Sequence, residues 1–234
     1  MQIGGLQKLT LIDYPGKLAA IVFLSACNFR CPFCYSSELV LPEKIQNHPQ
    51  IAEKEVFDFL KERRGLLEGV VLCGGEPTVH KELPDFIKKI RELGYLIKLD
   101  TNGSNPDALE RLLKSKLIDY VAMDIKGPKE RYSEIVGEQA GRKIAEAVQK
   151  SIDILKSGAV DYEFRSTIVP TIHAKEDVLA MANWIKGAKR YYLQNFRQEK
   201  TLDPKFEKIK PYPQEWLIEV QKVITPFFEI CQVR

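Results

Sequence analysis

Leu18-Ala19-Ala20-Ile21-Val22-Phe23-Leu24 is an unbroken apolar run of strand length, the pattern of a strand buried on both faces of a parallel sheet. Downstream, such runs alternate with helical stripes. A helical pattern covers Ala52 to Arg64, and Gly69-Val70-Val71-Leu72-Cys73 reads as a second buried strand. Leu83, Phe86, Ile87, Ile90 and Leu93 then draw one apolar stripe down a helix that Gly94 can end. Tyr95 to Asp100 is the third strand, Pro106 to Ser115 a helix opened by its proline, and Tyr120 to Ile125 the fourth strand. Ile144, Val148, Ile152 and Leu155 mark a helix stopping near Gly158. Strands at Tyr162–Val169 and Tyr191–Phe196, helices at Val178–Lys186 and Trp216–Val223, and a last edge strand at Phe227–Val233 complete the pattern. Strands separated by helices imply an α/β fold with parallel pairing through right-handed crossovers. Periodicity alone does not distinguish an open sheet from a partly closed barrel.

The 234 residues read as one domain, residues 1–234, able to bury roughly 70–75% of the unfolded surface. Hydrophobic residues make up 44% and charged residues 29%, an ordinary globular composition. No apolar run is long enough to span a bilayer. The start Met1-Gln2-Ile3-Gly4-Gly5 lacks the basic-then-apolar pattern of a signal peptide, so the reading is cytoplasmic with no membrane partner. Charge is +3, from 35 basic and 32 acidic residues that are interspersed, which gives no argument for nucleic acid. Lys200 to Lys210, with Lys205, Lys208 and Lys210 among Asp203 and Glu207, reads as a solvated loop, with a docking surface as the alternative.

The first run leads into Cys27-Asn28-Phe29-Arg30-Cys31-Pro32-Phe33-Cys34. Three soft ligands share one short loop, and a fourth is missing. A structural zinc site closes with four ligands, yet His48, His80 and His173 are all distant in sequence. The odd count of five cysteines fits poorly with a disulfide framework. A four-iron cube held by three cysteines keeps one iron open, whereas four would saturate it. Cys73 and Cys231 lie in apolar strands and read as small buried side chains.

Polar residues gather at strand ends. Gly74-Gly75-Glu76-Pro77 follows the second strand, its glycines allowing a sharp turn and the close approach of a ligand. Asp100-Thr101-Asn102-Gly103 ends the third, and Met123-Asp124-Ile125-Lys126 the fourth; their charges suit either a structural ion pair or a ligand rim. Arg165 and Ser166 lie in the fifth strand, His173 follows it, and Gln194-Asn195-Phe196 ends the sixth. His173 suits a satisfied loop residue as well as a ligand contact.

The cysteine spacing, with Phe33 just before the third cysteine, resembles the signature loop of radical S-adenosylmethionine (SAM) enzymes, and Gly-Gly-Glu-Pro resembles their motif for the SAM amino group. The resemblance implies a partial (β/α)6 TIM-like barrel with parallel strands. It also implies a [4Fe–4S] cluster on Cys27, Cys31 and Cys34, whose open iron is chelated by the SAM amino and carboxylate groups. Phe33, Ser36, Gly74, Gly75, Glu76, Asp100, Asn102, Asp124, Lys126 and His173 are the implied SAM-side residues. Lys126 would meet the SAM carboxylate as a compact cation, and Asp100 with Asp124 would supply oxygens to a monovalent cation.

With Leu11-Ile12-Asp13-Tyr14-Pro15-Gly16-Lys17 and Trp184-Ile185-Lys186-Gly187-Ala188-Lys189-Arg190-Tyr191 added, the chain looks like a member of the glycyl-radical-enzyme activating family, which includes the anaerobic ribonucleoside-triphosphate reductase activating proteins and the pyruvate formate-lyase activating enzymes. Such proteins cleave SAM with one electron from the reduced cluster, and the resulting 5′-deoxyadenosyl radical takes a hydrogen from a glycine Cα of a partner. The implied partners are a glycyl-radical enzyme, such as anaerobic ribonucleotide reductase, and a low-potential electron donor such as flavodoxin or ferredoxin. One departure is Tyr35-Ser36-Ser37 where many relatives have His-Asn-Pro, so Ser36 replaces only part of that function. No second cysteine cluster is present, which argues against auxiliary-cluster enzymes. A radical SAM enzyme acting on a small molecule and a non-enzymatic iron–sulfur or zinc module remain as alternatives.

Overall fold

The computed structural model describes residues 1–234, and its first strand is one that the apolar pattern does not announce. β1 (Ile3–Thr10) runs antiparallel to β2 (Ala19–Leu24). Only its end residues Ile3 and Thr10 are buried, as suits an edge strand with polar residues facing water. The strands lie in one sheet in chain order from β1 to β8, open because β1 and β8 are its two ends. The chain divides into two compact units, each drawing on several stretches.

The first unit comprises Met1–Asn28, Ser36–Thr101 and Asp107–Val121. After β2 come two single-turn helices, α1 (Ser37–Val40) and α2 (Pro42–Ile45), and then α3 (Glu53–Glu62). β3 (Gly69–Gly74) pairs parallel with β2, and β4 (Leu96–Thr101) pairs parallel with β3. α4 (Leu83–Glu92), between them, buries Leu83, Phe86, Ile87 and Ile90 along its expected stripe. Gly94, at φ +94°, turns the chain out of it in the left-handed conformation that glycine adopts most cheaply. The unit also holds Asp107 onward of α5 (Pro106–Lys114) and the first two residues of β5 (Tyr120–Asp124). Tyr14, Ala19, Ile21, Val71 and Tyr120 form an apolar plug against which Phe23, Cys73 and Leu96 pack. Tyr14, from the loop after β1, presses so close that a Cβ on Gly69 would stand 2.8 Å from its ring.

The second unit comprises Phe29–Tyr35, Asn102–Pro106 and Ala122–Arg234. It holds α6 (Tyr132–Val136), α7 (Ile144–Lys156), β6 (Asp161–Ile168), α8 (Lys175–Trp184), β7 (Arg190–Asn195), α9 (Gln214–Ile224) and β8 (Ile230–Val233). β6 pairs parallel with β7, and β7 with β8. Lys200 to Lys210 is a solvated segment with some local order. Its lysines are exposed, but Thr201 is buried and Pro204–Lys208 forms a 3-10 turn capped by the Asp203 carboxylate. No helix is long and apolar enough to cross a membrane.

Candidate functional site

The first unit carries Cys27, Ser36, the glycine turn and Asp100. At the end of β2, Ala26 adopts φ +77°, a conformation that costs an L-residue energy and persists where its surroundings enforce it. Those surroundings are visible: Ala26 N donates to Leu39 O at 2.7 Å, and Ala26 O accepts from Glu76 N at 2.8 Å. The glycine turn binds the same stretch, through Gly75 N to Leu24 O at 2.7 Å and His80 Nε2 to Ser25 O at 2.7 Å. A Cβ on Gly75 would stand 2.0 Å from Ala26 O, and one on Gly74 would stand 2.5 Å from Leu24 O. The close approach that demands glycine is therefore made by the backbone entering the cysteine loop.

Glu76 is fully buried, and its Oε1 accepts from Thr78 N, Thr78 Oγ1 and Thr101 Oγ1. It stitches the turn to β4. Ser36 precedes α1 without capping it through its side chain. Lys98, which the sequence reading passed over, shares a face of β4 with Asp100 and pairs with that carboxylate at only 1% side-chain exposure. Their two-residue spacing in a strand was the available signal.

The second unit carries Cys31 and Cys34, joined by a turn in which Cys34 N donates to Cys31 O at 3.0 Å. Its neighbours hold this loop on several sides. Arg30 N donates to Val136 O at 2.8 Å, Leu202 N to Cys34 O at 2.8 Å and Asp203 N to Pro32 O at 2.9 Å. Tyr35 stacks on Phe196, and its hydroxyl accepts from Arg197 N at 2.7 Å. Backbone donors such as Leu202 N leave no mark in sequence, so this strap over the loop was not foreseen.

Asp124, Lys126 and Arg165 form a triad. Lys126 Nζ donates to Asp124 Oδ2 at 2.9 Å, and Arg165 Nε donates to Oδ1 at 3.1 Å. Burial works against the Asp124 charge, but the two cations prevail and hold its carboxyl down at about 2. Burial would strip the proton from Lys126; the Asp124 carboxylate and the charges of Cys31 and Cys34 outweigh it and push its pKa up. Lys126 thus lies within electrostatic reach of Cys31 and Cys34.

His173 is fully buried, and both ring nitrogens are engaged by backbone. Nδ1 accepts from Val169 N at 3.0 Å, and Nε2 donates to Lys126 O at 3.0 Å. Burial lowers its pKa to about 4, so the ring is neutral. It therefore supports the Lys126 segment and has no ring nitrogen left to hydrogen-bond a ligand. Phe33, also buried, meets its ring edge-on at 6.2 Å. Asn102 shapes its own loop, accepting from Ser104 N at 2.9 Å. Asn195 donates to Tyr212 O at 2.8 Å, and its buried Oδ1 has no partner.

The profile of the radical SAM superfamily matches residues 21–185. The chain belongs to the radical SAM superfamily. A candidate glycyl-radical enzyme activating enzyme of Methanocaldococcus jannaschii is 34% identical over 238 aligned residues, covering 99% of this chain and 95% of that one. Among solved structures, SuiB of Streptococcus suis superimposes with a TM-score of 0.66 at 18% identity, covering 91% of this chain and 48% of that one. Its complex with S-adenosylmethionine gives 0.63 at 17% identity, covering 91% and 51%. This radical SAM chain thus spans about half the length of SuiB and shares its fold.

Radical SAM enzymes use a [4Fe–4S] cluster and SAM, and the cysteines are of the chemical kind the cluster takes. None of the five cysteines is in a disulfide, and three thiols in one loop are a donor set for iron–sulfur chemistry rather than for a hard cation. A further monovalent cation fits less well. Asp100 already pairs with Lys98, and Asp124 with Lys126 and Arg165.

Proposed function

We propose that this radical SAM enzyme installs a glycyl radical on a partner enzyme, of which anaerobic ribonucleotide reductase is the leading example. The observation that carries the reading is the similarity to the M. jannaschii candidate activating enzyme, which runs through 99% of this chain.

In this reading Cys27, Cys31 and Cys34 would be the thiolate ligands of the [4Fe–4S] cluster, with SAM as the cofactor beside it. Bound together, the cluster and SAM would supply one-electron reductive chemistry, for which a low-potential donor such as flavodoxin or ferredoxin would be the electron source. The chain's own residues position and shield. The Gly74-Gly75 turn fixes the entry to the cysteine loop, and Lys126, itself oriented by Asp124 and by the His173 bond to its carbonyl, neutralises the SAM carboxylate. Phe33 closes the loop against His173, Asn195 offers its orphan oxygen to the nucleoside part, and Ser36, Glu76 and Asn102 shape the surrounding turns. Exclusion of water from the seated substrate loop protects the radical.

The test is anaerobic incubation of the reconstituted enzyme with SAM, reductant and a candidate glycyl-radical protein deuterated at glycine Cα. A glycine-centred radical visible by electron paramagnetic resonance, with deuterium in 5′-deoxyadenosine, is expected. Label arriving only from a small molecule, with full turnover and no protein partner, would instead assign small-molecule chemistry.

A further inference from the structure

Family resemblance implies a monovalent metal cation beside the aspartates at the ends of β4 and β5, yet each carboxylate meets a cation of this chain's own. On β4, Lys98 lies opposite Val71, which in turn lies opposite Ile21. Its charge thus rises from a row of otherwise apolar residues, with 1% side-chain exposure, and ends on the Asp100 carboxylate, itself 10% exposed. A buried lysine ammonium without a counter-charge is very costly, so Lys98 and Asp100 require each other. An ammonium has the charge of a potassium ion, a similar size and three donors. On β5, Asp124 is engaged on both oxygens, by Lys126 and by Arg165.

We propose that the Lys98 ammonium takes the place of a monovalent metal cation at Asp100, so that this enzyme binds SAM with no requirement for potassium or sodium. Lys98 is then a positioning residue. It fixes the Asp100 carboxylate and supplies a constant charge that does not depend on the salt in which the enzyme works. The statement about SAM rests on the cofactor site proposed above; the statement about the cation does not.

Two measurements separate these. Thermal unfolding of the native protein and of Lys98→Ala is compared in potassium chloride and in tetramethylammonium chloride at equal ionic strength. The native midpoint should be the same in both salts. Lys98→Ala, which leaves Asp100 without its ammonium in a space a small cation can enter, should be selectively stabilised by potassium by about 2–4 °C per kcal/mol of binding, and Lys98→Ala with Asp100→Asn should lose that response. If Lys98→Ala does not fold, Lys98→Gln takes its place, and the native arm stands alone in any case. A potassium-selective rise in the native protein that vanishes in Asp100→Asn overturns the proposal, as does a folded Lys98 variant with no response.

Separately, equilibrium binding of SAM to the reconstituted enzyme should change less than twofold between the two salts. A tenfold or greater preference for potassium in the native enzyme also overturns the cation statement. Absence of SAM binding in both salts would instead count against the cofactor site.

Discussion

Gly75 and His173 show how little room individual residues have in this molecule. At Gly75 any side chain meets the carbonyl oxygen of Ala26, 2.0 Å from an ideal Cβ. Backbone cannot yield as a flexible side chain can, so Gly75→Ala should cost about 1–3 kcal/mol or more and lower the iron retained after reconstitution. Gly16→Ala, where a Cβ meets nothing within 4 Å at φ +70°, should cost only about 1 kcal/mol of backbone strain. Urea unfolding of both variants, with iron analysis, checks the contrast; equal costs would remove the steric argument. His173 makes a pH prediction. Its folded pKa of about 4 lies below the ordinary 6.5, so the unfolded chain binds the proton first. Its stability contribution is whole above pH 6.5 and is lost as pH falls toward 4. Between pH 6.5 and 5 the loss should be about 2 kcal/mol, and His173→Gln, which does not titrate, should lack that slope in urea unfolding. At this scale the sequence was legible where chemistry is concentrated. Cys27, Gly75 and Lys126 announce themselves by type and neighbours, while Lys98 is hidden because a lysine in an apolar strand reads as an outward-facing residue.

The elements of the fold divide by how their roles are written. β2, β3 and β4 were readable because interior parallel strands are continuously apolar, and α4 because its stripe repeats with the helical period. β1 was not, since an edge strand of Ile3-Gly4-Gly5-Leu6-Gln7-Lys8-Leu9-Thr10 has neither pattern. The strap around Leu202 and Asp203 was not readable either, because what it contributes is two backbone N–H groups. Its effect can be measured. Leu202→Pro removes the donor to Cys34 O, and the apoprotein should then show several-fold faster alkylation of Cys34, with Cys231 unchanged because that thiol is buried and its pKa is raised to about 11. An unaltered Cys34 rate would show that the strap leaves the loop's motion untouched.

Across the whole molecule, five cysteines fall into two chemical kinds. Cys27, Cys31 and Cys34 share a loop, whereas Cys73 and Cys231 lie in β3 and β8. Replacing any loop cysteine by alanine should remove most of the reconstituted iron, while Cys73→Ala and Cys231→Ala should keep it; loss in either strand variant would end the three-ligand assignment. The α/β class and the family are recoverable from apolar runs and one motif. Each of the two compact units is assembled from separated stretches of chain.

The strap also sets a schedule. Cys34 and Leu202 are separated by most of the chain, and a ribosome adding 5–20 residues per second needs roughly 10–30 s to travel from one to the other. For that time a nascent chain carries the Cys31–Cys34 turn without the bonds from Leu202 and Asp203. Stalled chains ending before Leu202 should therefore retain less iron than the released protein, while equal retention would mean the loop is competent on its own.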